Sequence, residues 1–174
     1  MQQEELKLIQ KSKSGDNNAF STLIMNYSRA LYRLAKTRLY YEDDVLEAVQ
    51  RTIVIAYEKI NTLKKESSFK SWIFKILINN CNQIHNENNK LSFQFTEEDF
   101  YEKSNIDSNI FFSELMNLLD TDERTICILY YQDQYTTQEI SKILNINHNT
   151  IRTKLSRAKN KIKINLENNS KEVL

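Results

Sequence analysis

The stretch that decides the fold is TTQEISKILNINHNTIRTKLSRAKNKI, which occupies residues 136–162. Thr136 and Glu139 have the spacing of a capping box, which predicts that a helix begins here. Asn145 suits a left-handed turn almost as well as glycine does, and Asn147 suits an N-cap. The apolar residues that repeat at helical spacing around this turn are Ile140, Leu144, Ile151, Leu155, Ala158 and Ile162. Two short helices joined by a tight turn are predicted, which is a helix-turn-helix.

The second of these helices carries residue types that bind DNA. With the apolar stripe buried, its polar and basic side chains face outward near the N-terminal half, the part of a recognition helix that reaches base edges. The candidate DNA-binding residues are His148, Asn149, Thr150, Arg152, Thr153, Lys154, Ser156 and Arg157. Lys154, Lys159 and Lys161 are suited to phosphate contacts. An ordinary amphipathic helix with a solvated basic face is the alternative, but the cap, the turn and the charge together favour DNA binding.

Composition favours an all-α protein in a reducing compartment. The 174 residues include one Gly and no Pro, so the usual turn residues of hairpins are scarce. Cys81 and Cys127 lie in separate apolar segments, which indicates reduced core thiols rather than a disulfide framework. The charged N-terminus has no apolar signal segment, and no apolar run approaches the roughly 20 residues that span a bilayer. We therefore expect a cytoplasmic protein with no membrane insertion of its own.

Two small helical domains joined by a flexible linker are predicted. Residues 1–86 form the first domain, and residues 87–109 are polar, acidic and without a clear period, which is typical of a linker. Helical spacing returns in residues 110–168, the second domain, and residues 169–174 form a tail. Charge follows the same division, because residues 96–123 contain nine Asp and Glu, whereas residues 148–163 contain six Lys and Arg and no acid.

Helix boundaries within these domains follow from caps and spacing. Gly15 and Asp16 predict a helix end followed by an N-cap. Further helices are predicted from about residue 42 to 63 and from 69 to 85, and Asp120 with Glu123 predicts another capped helix start. In the helix that spans 69–85, we expect Trp72 to pack in the core.

Four segments resemble, in order, the extracytoplasmic-function (ECF) group of bacterial sigma factors in the sigma-70 family. SGDNNAFSTLI (14–24) resembles the family's opening, YEDDVLEAVQRTIVIAYEKI (41–60) its polymerase-binding helix, and SSFKSWIFKILINNC (67–81) its promoter-melting helix. Residues 118–162 resemble the family's second, helix-turn-helix domain. The resemblance implies a transcription initiation factor that binds RNA polymerase core, through the β′ clamp helices and the β flap, and directs promoter recognition and opening. It also implies regulation by an anti-sigma factor.

The resemblance also implies roles for individual residues. The polymerase-binding residues would be Asp44, Glu47, Gln50 and Arg51. The residues that bind the melted promoter element would be Lys64, Lys65, Ser67, Ser68, Lys70, Lys75, Asn79, Asn80 and Gln83. The chain departs from the family after His85, where an arginine-rich run is common and this sequence has Asn86-Glu87-Asn88-Asn89. We expect weaker phosphate attraction at that end of the helix.

Two other classes of function compete with this one. A helix-turn-helix regulator, whose first domain senses a ligand or dimerises, would bind duplex DNA without polymerase. An enzyme could use Cys81 and His85, which lie four residues apart on one helix. No phosphate loop, paired-carboxylate cleft or Cys-x-x-Cys accompanies them, so we expect no catalytic residue, metal site or cofactor. A purely structural adaptor would not need the basic recognition helix.

Overall fold

The computed structural model describes residues 3–91 and 115–171, which belong to two compact units. The first unit contains helices α1 (Gln3–Lys13), α2 (Asn17–Lys36), α3 (Glu42–Lys59) and α4 (Phe69–Leu91). The second contains α5 (Thr121–Cys127), α6 (Thr137–Leu144) and α7 (His148–Lys171). All regular elements in the two described ranges are helical, so the all-α prediction is confirmed. No helix in these ranges is both long and apolar enough to cross a membrane.

The first unit is built around an apolar core to which all four helices contribute. Its fully buried side chains include Ile9, Leu23, Leu31, Leu34, Val45, Phe69, Ile73, Phe74 and Leu77. The turn before α2 is the predicted one, because Gly15 has a φ of 91° that only glycine adopts without strain. Asp16 caps α2 by accepting hydrogen bonds from the backbone amides of Asn18 and Ala19, both at 3.0 Å.

Helices α3 and α4 differ in length from the prediction. Helix α3 stops at Lys59, and a 3-10 turn at Ile60–Thr62 follows, which ends at Leu63, where the backbone is extended with φ −65° and ψ 113°. Helix α4 continues past His85 to Leu91, since the polar residues there include no helix breaker. The side-chain amide of Asn88 donates to Asp44 on α3 at 2.7 Å, which ties the extra turns to the first unit. The predicted linker lies outside the described residues from position 92 onward.

The second unit contains both predicted capping boxes. The amide of Glu123 donates to Oδ1 of Asp120 at 2.8 Å, and the Glu123 carboxylate accepts from the Asp120 amide at 3.2 Å. Thr136 and Glu139 form the same reciprocal pair at the start of α6. The side chains that pack between the helices are Ile126, Leu129, Ile140, Ile143, Ile151, Leu155 and Ala158. Ile143, rather than the predicted Leu144, is the fully buried residue near the end of α6.

Candidate nucleic-acid interface

The turn between α6 and α7 fixes the direction of the recognition helix. Asn145 has φ 55° and ψ 40°, the left-handed conformation expected from the sequence, and its amide donates to the carbonyl of Ser141. The side chain of Asn147 then accepts from the amide of Asn149 at 2.9 Å, which caps α7 as predicted. The exposed side chains on the first turns of α7 are Asn149, Thr150, Arg152, Thr153, Ser156 and Arg157. This arrangement presents amide, hydroxyl and guanidinium groups in the pattern that recognises base edges.

His148 differs from the other candidates on this helix because its ring contacts the protein. Its Nε2 atom lies 2.8 Å from Oγ1 of Thr137, the first residue of α6, and the side chain is half-buried. The contact joins the starts of the two helices of the motif. His148 therefore holds the angle of the recognition helix rather than facing fully outward with its neighbours.

Two of the three lysines that the sequence suggests for phosphate contacts are paired within the second unit. Nζ of Lys154 lies 3.0 Å from Asp122, and Nζ of Lys161 lies 2.6 Å from Glu123. Partial burial disfavours the charged form of Lys154, but the hydrogen bond and the charge of Asp122 outweigh it and raise the pKa of Lys154. The ammonium of Lys159 stands 5.9 Å from the ring centroid of Tyr131. These contacts brace α7 against the rest of the unit.

Helix α3 presents two of the four predicted polymerase-binding residues on an exposed face, and Asp44 and Arg51 are half-buried. Glu47 and Gln50 are exposed, and the Arg51 guanidinium lies 2.7 Å from Glu47. Asp44 is half-buried against Asn88, and burial is the main cause that raises the pKa of its carboxyl group. Asp44 thus joins α3 to α4.

Sequence reasoning missed two apolar residues on the same face. Leu46 is 45% exposed and Val54 is 56% exposed, and they lie four residues before and after Gln50. Residues four apart lie on one side of a helix, so the three side chains form a stripe. Exposed apolar side chains rimmed by polar groups are typical of a protein-binding surface. The four-residue spacing of Leu46, Gln50 and Val54 in the sequence was the signal that could have revealed this stripe.

The loop between α3 and α4 holds two of the four cations predicted to bind melted DNA, Lys64 and Lys65, and Lys70 follows at the start of α4. Lys64, Lys65 and Ser67 are exposed, whereas Ser68 and Lys70 are half-buried. Glu66, within the 3-10 turn Glu66–Ser68, pairs with Lys13 of α1 at 2.7 Å and so ties the loop to the first helix. The hydrogen bond from Lys13 is the main reason that the pKa of the Glu66 carboxyl group is lowered.

The exposed side of α4 bears a shallow cleft, open to solvent, with a volume of about 460 Å³ and a lining that is almost entirely amide side chains. We call it the amide cleft, and it is lined by Asn79, Asn82, Gln83, Asn86 and Glu87. Asn79 and Gln83 are predicted DNA-binding residues that lie here, and Lys75 is exposed on the same helix. Nη2 of Arg38, which follows α2, donates to Oδ1 of Asn82 at 3.3 Å. Side-chain amides and a guanidinium offer both donors and acceptors to a nucleotide.

Asn80, expected among the residues that bind the melted promoter element, is not on the exposed side of α4. Asn80 is 5% exposed, and its side-chain amide donates to Oγ1 of Thr52, a residue with no exposed surface, at 2.9 Å. Asn80 therefore stabilises the packing of α4 against α3. Trp72, predicted to pack in the core, is only half-buried, and its ring centroid lies 5.7 Å from that of Phe69.

The geometry does not favour chemistry at Cys81. Its side chain is 1% exposed, and burial raises the pKa of the thiol to about 12. A thiol with that pKa is protonated at neutral pH, so it is a poor nucleophile. Among residues 3–91 and 115–171, no three His, Cys, Asp or Glu side chains are grouped so that they could hold a metal ion.

Two family models match the chain. The model for sigma-70 region 2 matches residues 23–88, and the model for sigma-70 region 4 matches residues 112–162. The first match covers α3, the loop and most of α4, and the second covers the helix-turn-helix. The surfaces described above thus fall within the matched segments.

Known relatives match over most of their length. The RNA polymerase sigma factor SigV of Bacillus subtilis is 28% identical over 165 residues, which cover 90% of this chain and 96% of the relative. The ECF RNA polymerase sigma-E factor of Haemophilus influenzae is 24% identical, and the match covers 89% of this chain and 91% of the relative.

Two solved structures share the fold at 20% and 24% identity. CnrH, solved in complex with the cytosolic domain of CnrY, has a TM-score of 0.72 and 20% identity, over 94% of this chain and 97% of CnrH. The sigma factor RpoE of Bartonella quintana, solved with the anti-sigma factor NepR, has a TM-score of 0.67 and 24% identity, over 85% and 96%. The two family models and the named relatives show that the chain belongs to the ECF group of the sigma-70 family and is an RNA polymerase sigma factor, which binds core polymerase and promoter DNA to initiate transcription.

Proposed function

We propose that the two units of this sigma factor bind two separate promoter elements and that the exposed side of α7 recognises the upstream one. The observation that carries the proposal is the exposed row on α7, held out by the left-handed turn at Asn145. Arg152 and Arg157 suit bidentate contacts with guanine, and Asn149 suits adenine. Lys154 contributes through its pair with Asp122, which steadies the helix, and His148 contributes through Thr137.

Core polymerase binds the exposed face of α3 in this proposal. Glu47 and Gln50 supply polar contacts, and Leu46 and Val54 supply apolar area for the β′ clamp helices. Apolar anchors of this kind contribute more binding energy than exposed charges do, because burying them removes apolar surface from water. The second unit meets the β flap, as the family resemblance implies.

Melted promoter DNA binds along the loop before α4 and the amide cleft. Opening a duplex without ATP requires that the lost stacking be offset by contacts to the single strand. Lys64 and Lys65 attract phosphates, and Ser67 with Asn79 and Gln83 provides hydrogen bonds for an extruded base. Lys70 and Lys75 add positive charge nearby, while Asn80 supports the helix from inside.

The domain limits remain predictions: 1–86 for the first domain, 87–109 for the linker and 110–168 for the second. Two weak DNA contacts joined by a linker gain from effective concentration, and they require a defined distance between the promoter elements. The chain itself catalyses no reaction, because bond formation belongs to the polymerase. It acts where the polymerase transcribes, in the cytoplasm.

An anti-sigma protein is the proposed inhibitor. CnrH was solved with the cytosolic domain of CnrY, and RpoE of Bartonella quintana with the anti-sigma factor NepR. A partner that covers α3 and α7 here would block polymerase and DNA together.

The test is a pull-down of purified bacterial core polymerase, followed by run-off transcription on genomic fragments. Retention of core together with new, promoter-specific transcripts is the expected result, and it would deliver the promoter sequence. Tight duplex binding by the chain without core polymerase, with no core retained, would overturn the proposal.

A further inference from the structure

A chain of polar contacts runs from the polymerase-binding face of α3 to the amide cleft on α4. The Arg51 guanidinium donates to Oε1 of Glu47 through Nε at 3.0 Å and Nη2 at 2.7 Å. Its Nη1 and Nη2 atoms also lie 3.5 Å from Oε2 of Glu87. The other oxygen of Glu87, Oε1, accepts from Nε2 of Gln83 at 2.9 Å. Arg51 is thus shared between a carboxylate on each surface.

We propose that Arg51 and Glu87 are positioning residues that couple polymerase binding to DNA binding at the amide cleft. The inference rests on the proposed function, in which Glu47 meets polymerase and Gln83 meets DNA. When a cation of the polymerase engages Glu47, Arg51 loses one of its two carboxylates and turns fully to Glu87. The charge of the Glu87 carboxylate is then neutralised, and the hydrogen bond that it accepts from the Gln83 side-chain amide weakens.

Charge explains why this exchange favours DNA. Glu87 is the one carboxylate among the described residues that line the amide cleft, and a carboxylate there repels the phosphates of a bound strand unless a cation pairs with it. Moving the Arg51 guanidinium closer to Glu87 lowers that repulsion and leaves the Gln83 amide available to a base. An arginine suits the role because its five donors can serve two carboxylates at once.

The expected size of the coupling follows from exposure. The side chain of Arg51 is 34% exposed, and those of Glu47 and Glu87 are 47% and 46% exposed. Solvent screens such pairs, so we expect the coupling to change affinity by about two- to fivefold. By linkage, bound DNA raises the affinity for core polymerase by the same factor.

The first experiment follows the Gln83 side-chain amide by NMR in the full chain, with the signal assigned from its loss in Gln83→Ala. Glu47→Gln removes the first partner of Arg51 and imitates the polymerase-bound state. The Gln83 signal is expected to shift in Glu47→Gln relative to the parent chain. In the presence of Glu87→Gln, adding Glu47→Gln is expected to leave the signal unchanged. The matched control is Glu167→Gln, which removes an exposed i,i+4 partner of Lys163 in the second unit.

The second experiment measures the affinity of the full chain for a fluorescent thymidine oligonucleotide at low salt. Glu47→Gln is expected to raise the affinity for the oligonucleotide more than the control Glu167→Gln does. When Glu87→Gln is already present, Glu47→Gln is expected to raise the affinity no more than the control. The proposed coupling is overturned if the Gln83 signal does not shift in Glu47→Gln. It is also overturned if Glu47→Gln changes the oligonucleotide affinity equally with and without Glu87→Gln. Neither measurement requires polymerase, so the core pull-down tests the proposed function separately.

Discussion

Nζ of Lys161 lies 2.6 Å from Oε2 of Glu123, a carboxylate that is 4% exposed and that also caps α5. The pair joins the far part of the recognition helix to α5. Burying a carboxylate costs free energy unless it has hydrogen-bond partners or a countercharge. The Glu123 carboxylate has two such partners, the backbone amide of Asp120 and the ammonium of Lys161.

This pair gives the first prediction. Lys161→Met leaves the Glu123 carboxylate buried without its cation, so we expect the free energy of unfolding of the second unit to fall by about 1–3 kcal/mol. Adding Glu123→Gln recovers part of the loss, because glutamine still accepts from the Asp120 amide and needs no cation. Amide hydrogen exchange in α7 measures both effects. If the changes in the free energy of unfolding caused by the two substitutions simply add, the two side chains do not interact.

The turn at Asn145 gives the second prediction. An L-residue with a β-carbon is strained at φ 55°, whereas glycine is not. Asn145→Gly is expected to leave stability unchanged or slightly higher, and Asn145→Ala to lower it by about 1 kcal/mol. Urea unfolding followed by circular dichroism checks this, with Asn160→Ala on the exposed side of α7 as the control. Equal effects of glycine and alanine at position 145 would argue against a left-handed residue there.

Local signals explain why so much of the second unit could be predicted. The caps at Asp120, Thr136 and Asn147 and the turn at Asn145 each depend on residues within four positions of one another, which a sequence displays directly. Lys161 and Glu123 are 38 positions apart, and Arg51 and Glu87 are 36 apart. Such pairs depend on how helices pack, and no local spacing announces them.

Asn79 and Asn80 show the same limit at a single pair of neighbours. Both are polar, and the sequence placed both on the DNA side of α4. Packing against α3 decided otherwise, because position 80 faces Thr52 and position 79 faces solvent. The apolar stripe of α4 was predictable, but which polar residue borders it on the inside was not.

The contrast gives the third prediction. Asn80→Ala removes the donor to a buried hydroxyl and leaves a small void, so we expect a loss of about 1–3 kcal/mol in the free energy of unfolding of the first unit. Asn79→Ala, at an exposed position, should change stability by less than about 0.5 kcal/mol and instead weaken promoter opening. Fluorescence of Trp72 during urea unfolding measures the first effect, and permanganate footprinting of melted promoter DNA the second. A stability loss from Asn79→Ala as large as that from Asn80→Ala would reverse the assignment.

The fourth prediction concerns Leu46 and Val54 on the exposed face of α3. Both side chains are about half exposed, so replacing them with serine costs the folded chain little. In the proposed complex with core polymerase both side chains would be buried, so each replacement is expected to weaken core binding by about 1–2 kcal/mol. Met25→Ser on α2, 75% exposed in the free chain, is the control. Competition for labelled core polymerase measures the affinities, and equal affinity of all three variants and the parent would remove this face from the interface.

The last prediction separates the two units. Arg152→Ala removes an exposed guanidinium from the recognition helix, so we expect recognition of the upstream element to weaken by about 1–3 kcal/mol. Core binding should be unchanged, because Arg152 belongs to the proposed DNA contacts of α7 and the contact with the polymerase clamp is proposed on α3. Transcription from a promoter with a scrambled upstream element should respond little to the substitution, and Lys163→Ala, which removes a cation farther along the same helix, controls for charge. Loss of core binding in Arg152→Ala would mean that the roles of the two units have been assigned the wrong way round.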